Sequence, residues 1–227
     1  VTDYRWTYGD GQQENGASKT APHHSYSSIG MYSVKLAVTD QYGCKDSVSK
    51  TVTVNVHPTA SFAVNKDTQC FATNSFVYSN SSVSNTGSSA VLSYAWSFGD
   101  ASSSTLATPT KVYSSDGGRS VRCIVTNTFG CNDTFNQKVY AMPQPRSVFS
   151  IKDTSLCLTG NVFEVTDQST GESIDPIKKK FYIIGSSDTL TSWTGTKANY
   201  SRTDTGVYSV KFWVESKMGC TANSSKK

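Results

Sequence analysis

Apolar and polar side chains alternate along most of the chain in short runs. In the clearest run, the row from Tyr32 to Val38 faces one side and the residues between face the other. Similar rows occupy 121–125 and 208–214. No stretch of about 10–12 residues has apolar residues at the i, i+3, i+4 spacing of a capped helix. The pattern therefore predicts an all-β protein made of short strands.

The pattern also recurs along the chain with a nearly constant period. Gly43 and Gly130 are 87 residues apart, and Gly130 and Gly219 are 89 apart. Pro58 and Pro145 keep the period of 87 residues. About seven short strands with frequent turns in a unit below about 100 residues are typical of an immunoglobulin-like β-sandwich. Three tandem repeats of this kind are predicted.

Two short joints that contain proline separate the repeats. They lie at 56–58 and 141–145, and proline restricts how far each joint bends. The predicted domains are 1–56, N-terminally incomplete; 57–143, complete; and 144–227, divergent and C-terminally incomplete. We therefore expect the chain to be a segment of a longer array.

Composition and charge narrow the class of protein. Charged residues make up 17% of the chain and the net charge is +4 without clustering, so nucleic acid is not an expected partner. Twelve Tyr, ten Phe and four Trp supply aromatic surface for several cores. No run of about 18 apolar residues occurs, so no transmembrane segment is predicted. Sequence motifs of zinc proteases, serine hydrolases and nucleotide-binding loops do not occur, and we expect neither an enzyme nor a cofactor.

Two segments share an aromatic-Gly-Asp signature. Residues 94–100 predict a strand that buries Trp96 and Phe98, followed by a turn in which Asp100 accepts backbone N–H groups. The alternative is that Asp10 and Asp100 are metal ligands or catalytic acids. One acid per repeat supplies neither a coordination set nor an acid–base pair, so the structural role is favoured. The motif residues are Trp6, Gly9, Asp10, Gly11, Trp96, Phe98, Gly99 and Asp100.

These segments resemble the PKD (polycystic kidney disease) domain, whose hallmark is Trp-x-Phe-Gly-Asp-Gly followed by a Tyr and a Gly-x-Tyr-x-Val-x-Leu strand. The resemblance covers essentially the whole chain. In the third copy, Tyr182 and Ser186 stand where Trp and Asp are expected. The resemblance implies tandem immunoglobulin-like sandwiches of about seven strands each. The added Gly-Cys pairs make the chain similar to PKD arrays of Bacteroidota surface and type IX-secreted proteins, including gliding-motility adhesins.

The resemblance implies a non-catalytic structural or adhesive segment of a large secreted or cell-surface protein. Such a segment acts as an extended stalk on the bacterial outer-membrane exterior and presents binding regions. The alternative is an accessory polysaccharide- or protein-binding module of a secreted hydrolase. Trp213, which is out of phase with the inward row of its strand, is the candidate binding residue for that role. Neighbouring repeats are the expected partners, with surface glycans or another surface protein as external candidates.

The repeat register also predicts how four cysteines pair. It joins Cys70 to Cys131 and Cys157 to Cys220, so that each bond lies within a single repeat. Such bonds require an oxidising compartment. A zinc site is the competing interpretation, but no CxxC motif occurs and the three histidines lie far from the cysteine pairs.

Two cysteines fall outside this pairing. Cys44 has no partner at the expected offset, because counting back by the separation of Cys70 and Cys131 leads to a position before Val1. Cys123 lies in the inward row of its strand, which predicts a buried free thiol. A bond between Cys44 and Cys123 is the alternative, although they belong to different repeats.

Two short polar runs are given surface roles. His23 and His24 precede Tyr26 in a predicted loop, where a surface role is favoured over a metal pair. Residues 178–180 are three consecutive lysines. They predict a solvated strand edge that discourages pairing between sheets, with an anionic-polysaccharide contact as the alternative.

Overall fold

The computed structural model describes residues 1–16, 23–85, 91–185, 188–190 (backbone only) and 195–227. In these residues the regular structure consists of nineteen β-strands and one short 3-10 helix, Phe71–Thr73. The predicted all-β fold class is confirmed. Two compact units divide the chain. The first comprises Val1–Ser61, Ser81–Ala95 and Cys123–Phe135, and the second comprises Phe62–Asn80, Trp96–Arg122 and Asn136–Lys227.

The first repeat forms one antiparallel sheet in the order β2-β1-β3-β4. Its strands are β1 (Asp3–Thr7), β2 (Gln13–Gly16), β3 (Gly30–Thr39) and β4 (Lys45–Val54). β3 and β4 pair along their whole length, from Gly30 opposite Val54 to Thr39 opposite Lys45. The inward row that begins at Tyr32 is only half-buried. The described residues of this repeat form one sheet of a sandwich, so one face of that row remains partly open.

The second repeat forms both sheets of a sandwich, with strand orders β10-β7-β5 and β6-β12-β11-β8-β9. Its aromatic core brings the Trp96 ring within 4.8 Å of Phe62 and 5.4 Å of Tyr78, measured between ring centroids. The row from Val121 to Val125 is fully buried, as the alternation predicts. The strands are β5 (Phe62–Val64), β6 (Thr68–Cys70), β7 (Phe76–Asn80), β8 (Ser93–Ser97), β9 (Ser103–Ser104), β10 (Thr110–Lys111), β11 (Gly117–Thr126) and β12 (Asn132–Met142).

The third repeat also has two sheets, with strand orders β13-β14-β17 and β16-β15-β18-β19. Tyr182 occupies the position of the expected Trp, is fully buried, and stacks on Phe212 with ring centroids 4.2 Å apart. Phe149 packs edge-on against both rings. The strands are β13 (Phe149–Ile151), β14 (Phe163–Asp167), β15 (Ile177–Ile184), β16 (Asp188–Leu190), β17 (Lys197–Tyr200), β18 (Val210–Ser216) and β19 (Thr221–Lys226). Ser186, the residue at the expected Asp position, lies outside the described residues.

The joint between the first and second repeats is hydrogen-bonded into the end of the second repeat. The side-chain N–H of Asn127 donates to the Val56 carbonyl at 2.9 Å, and the Ala60 N–H donates to the Asp133 carboxylate at 2.9 Å. The hydrogen bonds that Asp133 accepts from the Ala60 and Thr134 N–H groups lower its pKa. Hydrogen bonds from the buried Asn127 and to the half-buried Asp133 therefore hold the joint against the second repeat.

A disulfide bond crosses the joint between the second and third repeats. Cys70, at the end of β6, is bonded to Cys220, in the turn between β18 and β19, and their Cα atoms are 5.4 Å apart. Gln144 lies in the same joint. In the amide orientation that gives both groups partners, its N–H donates to the Thr221 carbonyl and its oxygen accepts the Ala72 N–H.

The predicted pairings of Cys70 with Cys131 and of Cys157 with Cys220 are therefore wrong. Cys70 lies opposite Met142, the last residue of β12, whereas Cys131 immediately precedes the first residue of that strand. Eleven residues at about 3.3 Å each separate these two positions by roughly 35 Å, far beyond disulfide reach. Cys131 and Cys157 are free thiols.

The other two cysteine predictions are confirmed. Cys44 is free and exposed, and Cys123 is free and buried, with 1% of its surface exposed. Burial raises the pKa of the Cys123 thiol to about 11, so this group stays protonated and unreactive at neutral pH.

Candidate functional site

The hallmark turn of the second repeat is a compact polar network. Gly99 has φ +77° and lies so close to the Ser120 backbone that a Cβ atom would meet it at 2.8 Å, which explains the glycine. One Asp100 carboxylate oxygen accepts a hydrogen bond from the Ser102 N–H at 3.1 Å, as predicted. The other oxygen forms an ion pair with the Lys111 ammonium at 2.7 Å. Asp100 is thus occupied by structural contacts.

Lys111 connects this turn to the aromatic core. Its ammonium lies 5.7 Å from the centre of the Phe98 ring and 5.3 Å from that of Tyr113, within cation–π range. The Tyr113 hydroxyl donates to the Phe98 carbonyl at 2.9 Å. Partial burial alone would raise the pKa of Asp100, but hydrogen bonds from Lys111 and Ser102 outweigh it and hold the pKa at about 2.

The first repeat builds the same network with a histidine in place of the lysine. The Asp10 carboxylate accepts the Gln12 N–H at 3.0 Å and contacts His24 Nε2 at 2.7 Å. The His24 ring stacks on Tyr8 with centroids 3.8 Å apart, and the Tyr26 hydroxyl donates to the Tyr8 carbonyl. The role of His24 is therefore more specific than the predicted surface loop.

The sequence analysis did not identify His24 and Lys111 as equivalent residues of the first and second repeats. Both residues lie two positions before a tyrosine, Tyr26 or Tyr113, and they are 87 residues apart. The repeat period was thus the signal that could have identified them as equivalent cations.

The Asp100–Lys111 pair predicts an acid-sensitive contribution to stability. Because the pKa of Asp100 is lowered in the folded state, its contribution is complete above about pH 4 and is lost as pH falls through about 2. We expect Lys111→Met to lower the free energy of unfolding at pH 5, measured by urea unfolding. Near pH 2 the difference in this free energy between the variant and wild type is expected to be smaller. The exposed Lys138→Met is the control. A Lys111→Met difference that stays constant between the two pH values would contradict this role.

The three Gly-Cys segments form the same turn. In each, the residue four positions before the cysteine donates its N–H to the cysteine carbonyl, and the glycine donates its N–H back to that residue. The glycine φ values are +83°, +81° and +88°. The cysteines of these turns, called turn cysteines below, are Cys44, Cys131 and Cys220.

A side chain holds the N–H of each turn cysteine. The acceptor is Asp40 for Cys44, at 2.9 Å, and Asn127 for Cys131, at 3.1 Å. For Cys220 the acceptor is the Ser216 hydroxyl at 3.0 Å, which in turn donates to the buried carboxylate of Asp175 at 2.6 Å. Two residues in the third repeat thus replace one in the others, and the turn geometry is preserved.

The outer face of the third repeat carries an aromatic pair. Phe181 on β15 and Trp213 on β18 are cross-strand partners, and their ring planes are 6° apart with centroids separated by 6.0 Å. Both rings are half-exposed, and the exposed Asn223 lies opposite Trp213 on β19. Flat apolar rings can stack on the apolar face of a sugar, and a polar side chain beside them, such as the Asn223 amide, can form hydrogen bonds with the sugar hydroxyls.

The lysine run beside this pair divides between the two faces of the sheet. Lys178 and Lys179 are exposed, and Lys179 lies 3.5 Å from Glu215. Lys180 points inward and forms an ion pair with the buried Asp167. Only the first two lysines therefore follow the predicted solvated edge.

The described residues contain no group of three or more side chains suited to hold a metal ion. They also contain no helix with the length and apolar character needed to cross a membrane.

The fold and these turns define a class of protein, tandem β-sandwich repeats stabilised by structural turn motifs. The model of the PKD domain family matches residues 1–56 and 55–142, which is more than half of the chain. The chain belongs to the PKD domain family. PKD domains are in general non-catalytic structural modules and are typical of extracellular proteins.

Three solved structures are similar to parts of the chain. The PKD1 domain of Vibrio cholerae metalloprotease PrtV is 32% identical over 38% of this chain and 98% of that one, with a TM-score of 0.33. The PKD1 domain of Vibrio anguillarum Epp is 28% identical over 39% and 96%, with a TM-score of 0.34. A structure of carbohydrate-binding modules from the β-sandwich superfamily is 14% identical over 76% and 84%, with a TM-score of 0.37.

Proposed function

We propose that the chain is a non-catalytic segment of a large secreted or cell-surface protein, in which tandem PKD domains at 1–56, 57–143 and 144–227 form an extended stalk. The observation that carries this proposal is the covalent bond across the second joint, between Cys70 and Cys220. A disulfide persists in an oxidising, extracellular environment, which agrees with that location. The resemblance to Bacteroidota arrays favours the bacterial outer-membrane exterior, a type IX-secreted protein and a gliding-motility adhesin.

The contacts at both joints support a mechanical role. Hydrogen bonds to Val56 and Ala60 immobilise the first joint, and the disulfide and Gln144 bridge the second. A stalk needs such joints, because free hinges would let successive domains fold back on one another. The stalk presents binding regions that lie elsewhere in the protein.

Small-angle X-ray scattering of the 227-residue chain tests the stalk. A compact domain of this length has a radius of gyration of about 17 Å. We expect at least about 25 Å, because a strand such as β12 already gives each repeat a length of about 35 Å. A radius close to that of the compact domain, found at several protein concentrations, would contradict the proposal.

A second candidate function is glycan binding by the third repeat, as in an accessory module of a secreted hydrolase. The Phe181–Trp213 pair, whose ring planes are nearly parallel, is the observation that favours it. Partly exposed aromatic rings keep apolar surface in contact with water. Covering that surface with a flat apolar face lowers the free energy, so such rings favour binding.

Retention on insoluble polysaccharides tests the second candidate. We expect Trp213→Ala to weaken retention about tenfold, equivalent to about 1.4 kcal/mol, with a similar loss for Phe181→Ala. Tyr42→Ala is the matched control, because Tyr42 is an aromatic residue with 82% of its surface exposed in a turn of the first repeat. Equal retention of all variants on every glycan tested would exclude this surface as the site.

A further inference from the structure

We propose that the Cys70–Cys220 bond is one instance of a repeating cross-link, in which the turn cysteine of each repeat bonds a cysteine near the opening strand of the preceding repeat. Cys44, Cys131 and Cys157 then each form one half of a separate cross-link of this kind. The partner of each lies in a neighbouring repeat of the same protein. This inference rests on the proposed function, because it requires that array.

The turn cysteines are equivalent in structure as well as in sequence. Cys131 and Cys220 each follow a glycine of left-handed conformation, and each has its carbonyl and its N–H held by the residue four positions earlier. Turns with the same backbone hydrogen bonds and the same glycine conformation project the Cβ atom of the cysteine in the same direction from the hairpin. Since Cys220 reaches the preceding repeat, the geometry directs Cys131 and Cys44 to the preceding repeat as well.

The turn of the second repeat faces its predecessor by independent evidence. Asn127, which holds the Cys131 N–H, donates its side-chain N–H to the carbonyl of Val56, the last residue of the first repeat. His57 in the joint contacts the carbonyl of Asn132, the residue after Cys131, at 3.3 Å. Cys131 therefore lies at the joint between two repeats, as Cys220 does.

The other half of the cross-link is also built twice. Asn74, four residues after Cys70, donates its side-chain N–H groups to the carbonyls of Phe71 and Tyr113 and accepts the Tyr113 N–H. Asn161, four residues after Cys157, makes the corresponding three bonds.

In that second copy the partners of Asn161 are the Leu158 carbonyl and the Arg202 carbonyl and N–H. The same asparagine clamp thus fixes the loop that follows each opening-strand cysteine, Cys70 or Cys157. Cys157 is exposed, as a residue that bonds a following repeat must be.

Each bond forms by ordinary thiol–disulfide exchange. The thiolate of one cysteine attacks a disulfide of an extracytoplasmic protein oxidant and forms a mixed disulfide with it. The second cysteine, as thiolate, then attacks the first sulfur and releases the oxidant as a dithiol, so two electrons pass to the oxidant and two protons leave the cysteine pair. Cys123 takes no part, because its thiol is buried and its pKa is raised.

Non-reducing peptide mapping of the mature protein from its native source tests the inference. Thiols are alkylated in denaturant before digestion, and digests with and without reduction are compared by mass spectrometry. We expect the Cys131 and Cys157 peptides to be missing before reduction, joined to cysteine peptides from outside residues 1–227. Cys123 is the internal control for a free thiol, and the linked Cys70–Cys220 peptide is the control for an intact disulfide.

The possible results separate the inference from the proposed function. If peptides of further repeats are found but Cys131 is alkylated without reduction, the cross-link rule is overturned and the stalk stands. A bond from Cys131 to Cys157 or Cys44 also overturns the rule. If no further repeats are found and Cys131 is free, both the rule and the proposed array fail.

Discussion

Cys70→Ser is expected to lower the free energy of unfolding of the second and third repeats by up to about 5 kcal/mol. The Cys70–Cys220 bond closes a loop with a sequence separation of 150 residues. In the chain-entropy model, a cross-link over a loop of that size removes about 5 kcal/mol of conformational freedom from the unfolded chain. The measurement is urea unfolding without reductant, monitored by tryptophan fluorescence. Wild type and variant are compared at equal protein concentration.

The matched variants for this prediction are serine substitutions at other cysteines. Cys220→Ser and the Cys70→Ser/Cys220→Ser double variant should match Cys70→Ser, because all three remove one bond. Cys157→Ser should stay within about 0.5 kcal/mol of wild type, since Cys157 is an exposed free thiol. An effect of Cys157→Ser as large as that of Cys70→Ser would show that the bond between Cys70 and Cys220 does not form.

The sandwich architecture was predictable because its signals are local. A row such as Val121 to Val125 is read directly from the alternation, and the structure buries all of it. Gly99 and Asp100 identify a turn by their own backbone and hydrogen-bonding preferences. In the third repeat, Tyr182 replaces Trp and still fills the core, because an aromatic ring of similar shape packs on Phe212. Local chemistry thus decides the strands and turns.

Disulfide pairing was not predictable from the period alone. The period shows that Cys70 and Cys157 occupy equivalent positions in successive repeats, and that Cys131 and Cys220 do as well. It does not show whether a disulfide bond joins cysteines of one repeat or of two. The deciding quantity is the length of β12, which separates Cys70 from Cys131. Strand length shows at which end of a sandwich a residue lies, and that information requires the sheet topology.

The candidate surface site was predictable only in part. The phase of Trp213 indicates that it points outward, and the structure places it there. Its partner Phe181 lies on an earlier strand, β15, and the stacking follows from the register that sets the two residues opposite each other. Pairing register between strands distant in sequence depends on the whole sheet.

Trp96→Ala is expected to destabilise the second repeat by about 3–5 kcal/mol, the usual cost of removing a buried tryptophan. Only 2% of Trp96 is exposed, its ring packs between Phe62 and Tyr78, and its indole N–H donates to the Leu106 carbonyl at 2.9 Å. The substitution leaves a cavity between the sheets and removes the hydrogen bond to that carbonyl. The measurement is the midpoint of urea unfolding by far-UV circular dichroism.

Trp6 offers a matched control, because it is the same hallmark residue in another environment. Trp6 is half-buried, in a repeat whose described residues form one sheet, and its indole nitrogen has no hydrogen-bond partner among those residues. Removing it creates a smaller cavity, because less of its surface is buried, so we expect Trp6→Ala to cost at most about half as much as Trp96→Ala. Equal losses from the two substitutions would mean that the second sheet contributes little to the stability that the hallmark tryptophan provides.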